Sequence, residues 1–296
     1  MSYIIASPTT RRRAQEKGVD IDALARSLGR TTIGPEDVDG GPAAPASGGR
    51  AADDTSFWDV DHAQYGPVTQ EPMGRFAQVA SRNLAAAQTL IPAVTHHDRA
   101  DVSGIEALRS GWKPEAQARG VKLTALAFHV AALARSLRAF PRFNASLSGD
   151  GKSLILKDYV HIGIAVDTVH GLMVPVIRDA DRKGLWTIAA EITDLATRAQ
   201  ARKIGSDEMG GASMTITNLG GIGGTAFSPI VNPPEVAILG ITRTETVTVW
   251  DGDTPRPVPM VPLDLSYDHR VINGADAARF LGHYARLIAD PRAMLI

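Results

Sequence analysis

A polar stretch near the C-terminus, Ser-Tyr-Asp-His-Arg-Val-Ile-Asn-Gly at residues 266–274, separates two segments that are patterned like core structure. Residues 260–265 read as a strand, and residues 275–288 carry apolar side chains at helical spacing. The sequence therefore predicts a strand, a short polar turn and a helix. His269 lies in that turn, where a histidine can serve as a general base. A lone histidine is more often structural, but the crowding of Asp268, Arg270 and Asn273 around it favours a catalytic role.

The composition excludes several classes of protein. The 296 residues are 44% hydrophobic with a net charge of -1, which supports a sizeable core and gives no basic excess for nucleic acid. The absence of cysteine excludes disulfides, thiolate metal sites and a cysteine nucleophile. The longest apolar run, residues 123–134, is far shorter than the roughly 20 residues that span a bilayer. We expect neither nucleic-acid nor membrane binding, and a cytoplasmic location.

Composition also divides the chain. Residues 3–38 predict a miniature helical domain, in which Ser7-Pro8 begins a helix and Gly18 ends it. Residues 39–56 are rich in Gly, Pro, Ala and Ser, which is typical of a flexible linker. Residues 57–296 alternate helices with strands and predict an α+β, two-layer domain with a mixed sheet. The predicted helices are 75–90, 123–140 and 186–201, and the predicted strands are 160–166, 172–176, 213–217, 236–242 and 246–250.

A second cluster, residues 210–225, begins like a strand and continues with four glycines. The glycines permit a tight turn and the close approach of a ligand. A nucleotide-phosphate loop is disfavoured, because no Lys-Ser/Thr pair follows and the dinucleotide spacing is absent. On the residues alone, Thr217 reads as a β-branched strand residue.

The pair His96-His97 suggests a metal site at first sight. Adjacent side chains on a strand point to opposite faces, so the two imidazoles cannot easily share one ion. We expect no metal.

Several motifs, in order, resemble one family. Residues 268–274, Asp-His-Arg-Val-Ile-Asn-Gly, residues 214–218, Met-Thr-Ile-Thr-Asn, and residues 229–240 are similar to the dihydrolipoamide acyltransferase component of 2-oxo-acid dehydrogenase complexes. The resemblance extends over residues 57–296. It implies a chloramphenicol-acetyltransferase-like fold and acyl transfer, most similar to the acetyl type of the pyruvate dehydrogenase complex, between dihydrolipoamide and coenzyme A.

The N-terminal residues resemble the peripheral-subunit-binding domain of the same family. The resemblance implies a decarboxylase/dehydrogenase component and dihydrolipoamide dehydrogenase as partners, bound through Arg11, Arg12 and Arg30. Thr32 stands where the family usually has arginine. We therefore expect weakened or altered partner choice.

The resemblance also assigns catalytic roles. His269 would deprotonate the attacking thiol, and the hydroxyl of Thr217 would stabilise the oxyanion. Asn273 replaces the commoner aspartate and would orient the site by neutral hydrogen bonds. Arg75 stands at the position of the aspartate's arginine partner, and Asp268 is a supporting residue.

The substrates and the assembly follow from the same resemblance. Arg109 and Lys113, four residues apart, would face coenzyme A phosphates from one helix, although a solvated basic face explains them equally well; Asp167 matches a position near the active-site channel. The family forms homotrimers, with each site shared between two chains, and trimers can build cages. Lipoyl domains normally precede this region. Because the sequence begins directly before the helical unit, we expect the lipoyl group on another chain or a truncated sequence.

Alternatives remain open. The chain could be a non-catalytic core subunit, or it could transfer branched-chain or other acyl groups. Retention of both His269 and Thr217 favours an enzyme. A chloramphenicol-type acetyltransferase is disfavoured by the N-terminal unit.

Overall fold

The computed structural model describes residues 4–39, 60–169 and 171–294. The chain divides into two compact units, Met1–Glu71 and Pro72–Ile296. Apart from Asp39, the expected linker at 39–56 lies outside the described residues. The predicted domain boundaries therefore stay predictions.

The first unit contains a small helical bundle. Its elements are β1 (Ile5–Ala6), α1 (Pro8–Lys17), α2 (Ile21–Leu28), β2 (Thr32–Ile33) and α3 (Pro35–Asp39). The hydroxyl of Ser7 accepts a hydrogen bond from the backbone N–H of Thr10 at 3.1 Å, and Gly18 ends α1 at φ 64°. Ala14, Ala25, Ile33 and Val38 are buried together, which is a small core for a folded unit.

The second unit is built from longer helices and a sheet. Its helices are α4 (Arg75–Leu90), α5 (Ser103–Gly111), α6 (Lys113–Ala118), α7 (Ala125–Ala139), α8 (Leu185–Gln200) and α9 (Gly274–Ala289). Its strands are β3 (Ala93–Asp101), β4 (Ala145–Leu147), β5 (Leu154–Leu156), β6 (Ile162–Ile164), β7 (Val176–Ile177), β8 (Met214–Asn218), β9 (Ala237–Ile241), β10 (Glu245–Asp251) and β11 (Thr254–Asp268).

The central sheet has the strand order β10-β11-β9-β8-β6-β7, and β3 also pairs with β11. The first part of β11 pairs with β10, and its last part lies between β3 and β9. The pairs β6–β8 and β8–β9 are parallel and the others are antiparallel. The expected mixed sheet with packed helices is confirmed.

The two faces of the sheet differ in chemistry. Alternate residues such as Met214, Ile216 and Leu265 are buried in the main core together with residues of α7, α8 and α9. The opposite face carries polar side chains, including Thr215 and Ser266, which are buried nonetheless. Buried polar groups need hydrogen-bond partners. The side chains on this face are therefore expected to be joined by hydrogen bonds, and not by apolar packing alone.

One predicted strand is much shorter than expected. Instead of 172–176, the structure has isolated bridges from Met173 to Val166 and from Pro175 to Met209, followed by β7. Pro175 has no N–H to donate to a ladder, which explains the interruption. No helix within the described residues is long and apolar enough to cross a membrane.

Candidate active site

The turn that carries His269 is fixed by hydrogen bonds on both sides. Asp268, only 3% exposed, accepts from the guanidinium of Arg270 at 2.9 Å (Nε to Oδ1) and 2.6 Å (Nη2 to Oδ2). Backbone N–H groups of Asp268 and His269 donate to the carbonyls of Val236 (2.9 Å) and Pro92 (3.1 Å). His269 itself is exposed. The hydrogen-bonded turn therefore presents the imidazole to solvent. Asp268 helps to hold this turn through its contact with Arg270.

Asn273 has a role in this chain that the sequence reasoning missed. It is the N-cap of α9: its Oδ1 accepts from the backbone N–H of Asp276 at 2.9 Å, and its Nδ2 donates to the Asp276 carboxylate at 2.8 Å. Asparagine before a helix is a cap signal, so the sequence contained the clue. Arg75 is exposed at the start of α4, and no hydrogen bond joins it to Asn273, both residues being described. The predicted orienting role of Asn273 in the active site stays a prediction.

Thr217 lies near the end of β8, and the strand pairing fixes its neighbours. It is opposite Gly240 on β9, which is opposite Asp264 on β11, which in turn is opposite His97 on β3. Side chains in one such row point to the same face of the sheet. Thr217 and Asp264 are therefore on the polar face with the glycine between them.

Thr217 and His269 lie at opposite ends of the sheet. Thr217 is near the C-terminal end of β8, whereas His269 follows β11, whose Tyr267 pairs with the first residue of β9. His269 is five residues past Asp264, about 17 Å along the strand, and two strand spacings add about 10 Å across it. One copy of the chain therefore keeps the two groups roughly 20 Å apart.

Asp264 is a buried carboxylate that the sequence reasoning did not single out. It is 1% exposed, and its Oδ1 is 2.6 Å from His97 Nδ1. Its Oδ2 accepts from the backbone N–H of Phe227 at 3.3 Å. His96 occupies the neighbouring row and pairs with Leu265, so the two histidines have alternate positions on β3. Within the described residues no group of three or more potential ligands could hold a metal.

Glu235 is a second buried acid that was missed, because only the fold shows that it is buried. It is 4% exposed and its Oε1 accepts from Thr215 Oγ1 and Asn232 Nδ2, both at 2.9 Å. Burial raises the pKa of Glu235 to about 7. Burial also lowers the pKa of nearby Lys157, whose ammonium donates to the carbonyl of Ala212 at 3.1 Å.

The basic residues expected at coenzyme A are brought together, but not as predicted. Arg109 lies in the last turn of α5 and Lys113 begins α6, because the helix is interrupted at Trp112. Both line a cavity of about 380 Å³ that also includes Lys122, a residue the sequence reasoning did not name. Arg109 is partly engaged by Glu106, whose carboxylate oxygens are 2.6 Å from Nη1.

Asp167 does not line this cavity. It lies in the segment after β6, where the backbone N–H of Ala165 donates to the carbonyl of Ile216 at 2.9 Å. The backbone carbonyl of Asp167 accepts a hydrogen bond from the side-chain amide of Gln200 at 2.6 Å. Asp167 is therefore at the end of the sheet that carries Thr217, apart from Arg109 and Lys113.

The three arginines that are predicted to bind partner proteins all have contacts within the first unit. Arg11 donates to the carbonyl of Ile4 at 2.9 Å, and Arg12 lies 3.4 Å from Glu16 with both side chains exposed. Arg30 pairs with Asp37. Arg11 and Arg12 remain on the surface, whereas Arg30 is also needed to hold Asp37.

The fold and site together define a two-layer α/β domain, with a histidine turn at one end of a mixed sheet and a threonine hydroxyl at the other. A model of the family "2-oxoacid dehydrogenases acyltransferase (catalytic domain)" matches residues 65–296. The chain belongs to this family.

Individual relatives agree with the family. The chain is 46% identical over 300 residues to the dihydrolipoyllysine-residue acetyltransferase component of the pyruvate dehydrogenase complex from Azotobacter vinelandii, covering 98% of this chain and 47% of the relative. It is also 46% identical to the Pseudomonas aeruginosa component, covering 98% and 55%. The chain thus spans about half the length of the curated relatives it matches.

Two solved structures show the same fold. Dihydrolipoamide acetyltransferase from A. vinelandii superposes with a TM-score of 0.79 at 50% identity, covering 80% of this chain and 98% of that chain. The cubic core of the pyruvate dehydrogenase multienzyme complex gives a TM-score of 0.79 at 51% identity, with the same coverages.

Proposed function

We propose that this chain transfers an acetyl group between dihydrolipoamide and coenzyme A in the core of a pyruvate dehydrogenase complex. One observation carries the proposal. The A. vinelandii acetyltransferase was studied for the roles of a serine, a histidine and an asparagine in its catalytic mechanism. Thr217, His269 and Asn273 stand at the same intervals along this chain, with a threonine hydroxyl in place of the serine.

The chemistry needs a base and an oxyanion donor. A thiol with a pKa near about 8.5 is mostly protonated at neutral pH. His269 takes the thiol proton as the sulfur attacks the thioester carbonyl, which forms a tetrahedral oxyanion. Thr217 donates its hydroxyl hydrogen to that oxygen. The intermediate then expels the second sulfur, which recovers the proton from His269, so no acyl-enzyme forms.

The active site is completed by a second copy. Because one chain keeps Thr217 and His269 roughly 20 Å apart, the imidazole of one copy must act beside the hydroxyl of another. A ring of copies with head-to-tail contacts supplies one such site at each interface, and we take a trimer as the simplest ring. The relative's cubic core supports further assembly into a cage.

Coenzyme A is the thiol substrate for which the chain offers a basic cavity. Arg109, Lys113 and Lys122 surround it and can pair with phosphate oxygens. We propose that Asp167, at the Thr217 end of the sheet, contributes to the active-site channel and not to phosphate binding. Asn273 is a positioning residue, since it caps the helix that follows the histidine turn.

The first unit is proposed to bind the dehydrogenase components of the complex. Of the three arginines implied by the resemblance, Arg11 and Arg12 are exposed and available to a partner, whereas Arg30 contributes less because it pairs with Asp37. Calorimetric titration of the whole chain and of a chain lacking residues 1–38 against each component tests this. Equal affinities with and without these residues would show that the first unit does not bind these components.

The transferase activity is tested with acetyl coenzyme A and free dihydrolipoamide as the acceptor. Wild-type protein should form the acetyl thioester, and His269→Ala should lower the rate by about 10²–10⁴-fold. Succinyl and branched acyl donors in parallel identify the preferred group. If wild type transfers no acyl group at all, the chain is instead a non-catalytic core subunit.

A further inference from the structure

The short helix α6 is separate from α5 because the sequence does not allow one continuous helix. Pro114, the second residue of α6, lacks the N–H that would donate to the carbonyl of Ser110 four residues earlier. The N–H of Trp112 donates to the carbonyl of Leu108 at 2.9 Å, and the carbonyl of Trp112 accepts from the N–H of Ala116 at 2.9 Å. Trp112 therefore ends one helix and begins the next, so α5 alone does not fix the position of α6.

One aromatic ring on another helix contacts both ends of α6. Trp186 is half-buried in the first turn of α8. Its ring centroid is 5.9 Å from that of Trp112, which directly precedes α6, and the two ring planes are tilted by 45°. The guanidinium carbon of Arg119, which directly follows α6, lies 5.2 Å from the centroid of the Trp186 ring, within the range of a cation–π contact.

Arg119 is also tied to α6 itself. Its Nε donates to Oε1 of Glu115 at 2.6 Å, and Glu115 lies within α6. The contact of Arg119 with Trp186 therefore restrains the helix and not only one side chain. A tilted ring pair and an exposed cation–π contact are each weak. Because they act on opposite ends of a helix of six residues, together they restrain both its shift and its rotation.

The helix that Trp186 restrains supplies part of the basic cavity. Lys113 is its first residue and Lys122 comes shortly after its end, whereas Arg109 belongs to α5. The Nε of Arg109 donates to the carbonyl of Leu123 at 3.3 Å, which joins α5 to the segment that follows α6. The distances from Arg109 to the two lysines therefore depend on where α6 lies. Phosphate groups bind best when several cations reach them together.

We propose that Trp186 is a positioning residue for coenzyme A, which fixes α6 so that Arg109, Lys113 and Lys122 converge on the phosphate groups. The inference rests on the proposed function, in particular on the basic cavity as the phosphate site. Trp186 is not among the residues that line this cavity, so it acts through the helix and not by contact with the substrate. The loss of Trp186 should therefore weaken only donors that carry phosphates.

The test compares acetyl coenzyme A with S-acetylpantetheine, which has the same thioester arm but neither the phosphates nor the nucleoside. In Trp186→Leu, KM for acetyl coenzyme A should rise by about 5–50-fold, the range that the loss of a ring pair and a cation–π contact can produce. Its kcat, and both constants for S-acetylpantetheine, should stay unchanged. Trp186→Phe keeps a smaller ring and should show a smaller rise. Trp250→Ala is the control, because Trp250 is 66% exposed on β10, and it should leave both donors unaffected.

A binding measurement separates the inference from the function beneath it. Desulfo-coenzyme A has the phosphates but no thiol, so calorimetry measures its affinity without any transfer. Trp186→Leu should bind it more weakly by the same factor as KM rises. Equal affinity in the variant and an unchanged KM ratio overturn the role of Trp186. A wild-type protein that neither binds desulfo-coenzyme A nor transfers acetyl overturns the proposed function instead. Thermal unfolding shows whether Trp186→Leu is folded; if it is not, the same comparison with Trp186→Phe decides.

Discussion

Thr217 and His269 lie at opposite ends of one sheet, on strands that run in opposite directions. Thr217 shares a row with Asp264, and His269 comes five residues later, just after the strand that carries Asp264 has ended. No side-chain rotation can span roughly 20 Å, so a single copy holds two halves of different sites. The loss of one half in one copy can then be compensated by another copy.

Mixing two inactive variants should restore activity. His269→Ala lacks the base, and Thr217→Val lacks the hydroxyl while keeping the β-branched shape. If the two are co-expressed with different tags and the mixed trimers are purified through both tags, one interface of each ring, about a third of all interfaces, combines an intact histidine with an intact threonine. We expect about that fraction of wild-type activity by the dihydrolipoamide assay.

Two controls define the result. Each variant assembled alone should stay inactive, and mixing the variants after separate assembly should restore nothing until subunits exchange. Activity no higher than the sum of the two separate variants would place the whole site in one copy.

The Thr217 hydroxyl is expected to matter more than the methyl group. Thr217→Val should lower kcat by about 10²–10³-fold, because the oxyanion loses a donor, with little change in KM for dihydrolipoamide. Thr217→Ser keeps the hydroxyl and should retain most of the activity. Equal losses in both variants would mean that packing, and not hydrogen bonding, is the contribution of Thr217.

Asp268 should act on the rate through the position of His269. Asp268→Asn weakens the charged contact with Arg270 and loosens the turn, and a displacement of about 1 Å can cost 10²-fold in rate. We expect kcat to fall by about 10–100-fold at nearly constant KM. The matched control is Asp251→Asn, which breaks an Asp–Arg pair that is exposed on both sides. A similar small effect of both substitutions on kcat would argue against a positioning role.

The sequence predicted what depends on local pattern. Helix α4 was predicted with the observed limits, and Ser7 and Gly18 bound α1 as expected, since apolar spacing and caps are local signals. Asn273 was assigned from the resemblance, although its position before a helix was itself a readable cap signal.

Contacts between residues that are far apart in the sequence could not be predicted from local patterns. The row of Thr217, Gly240 and Asp264 joins residues from three strands, and only the strand order shows that Phe227 covers the glycine. The interruption at Trp112 also puts Arg109 and Lys113 on two successive helices, although helical spacing predicted one helix for both.

Glu235 should make the protein less stable as the pH rises. Its pKa is about 7 in the folded chain against 4.5 as the ordinary value, because burial penalises the charge. The folded state therefore binds the extra proton between pH 4.5 and 7, and stability falls over that window by about 3 kcal/mol at most. Glu235→Gln should remove this loss and raise the thermal midpoint at pH 8. Glu245→Gln, on the exposed strand β10, is the control, and equal midpoint shifts for the two variants at pH 8 would refute the prediction.

His129 should produce the opposite dependence over nearly the same pH range. It is buried between α7 and α9 with Nδ1 2.5 Å from the hydroxyl of Tyr284, and burial lowers its pKa from 6.5 to about 4. The unfolded chain takes up the proton first, so stability is full above pH 6.5 and falls towards pH 4, by about 3 kcal/mol.

In wild type this loss on acidification offsets the gain from Glu235, so the thermal midpoint should vary little between pH 4.5 and 6.5. Glu235→Gln should expose the His129 slope, with a midpoint that falls on acidification, and the double variant His129→Leu/Tyr284→Phe should expose the reverse slope. Midpoints measured at one protein concentration across this range check both signs, and parallel curves for all three proteins would show that neither group controls stability.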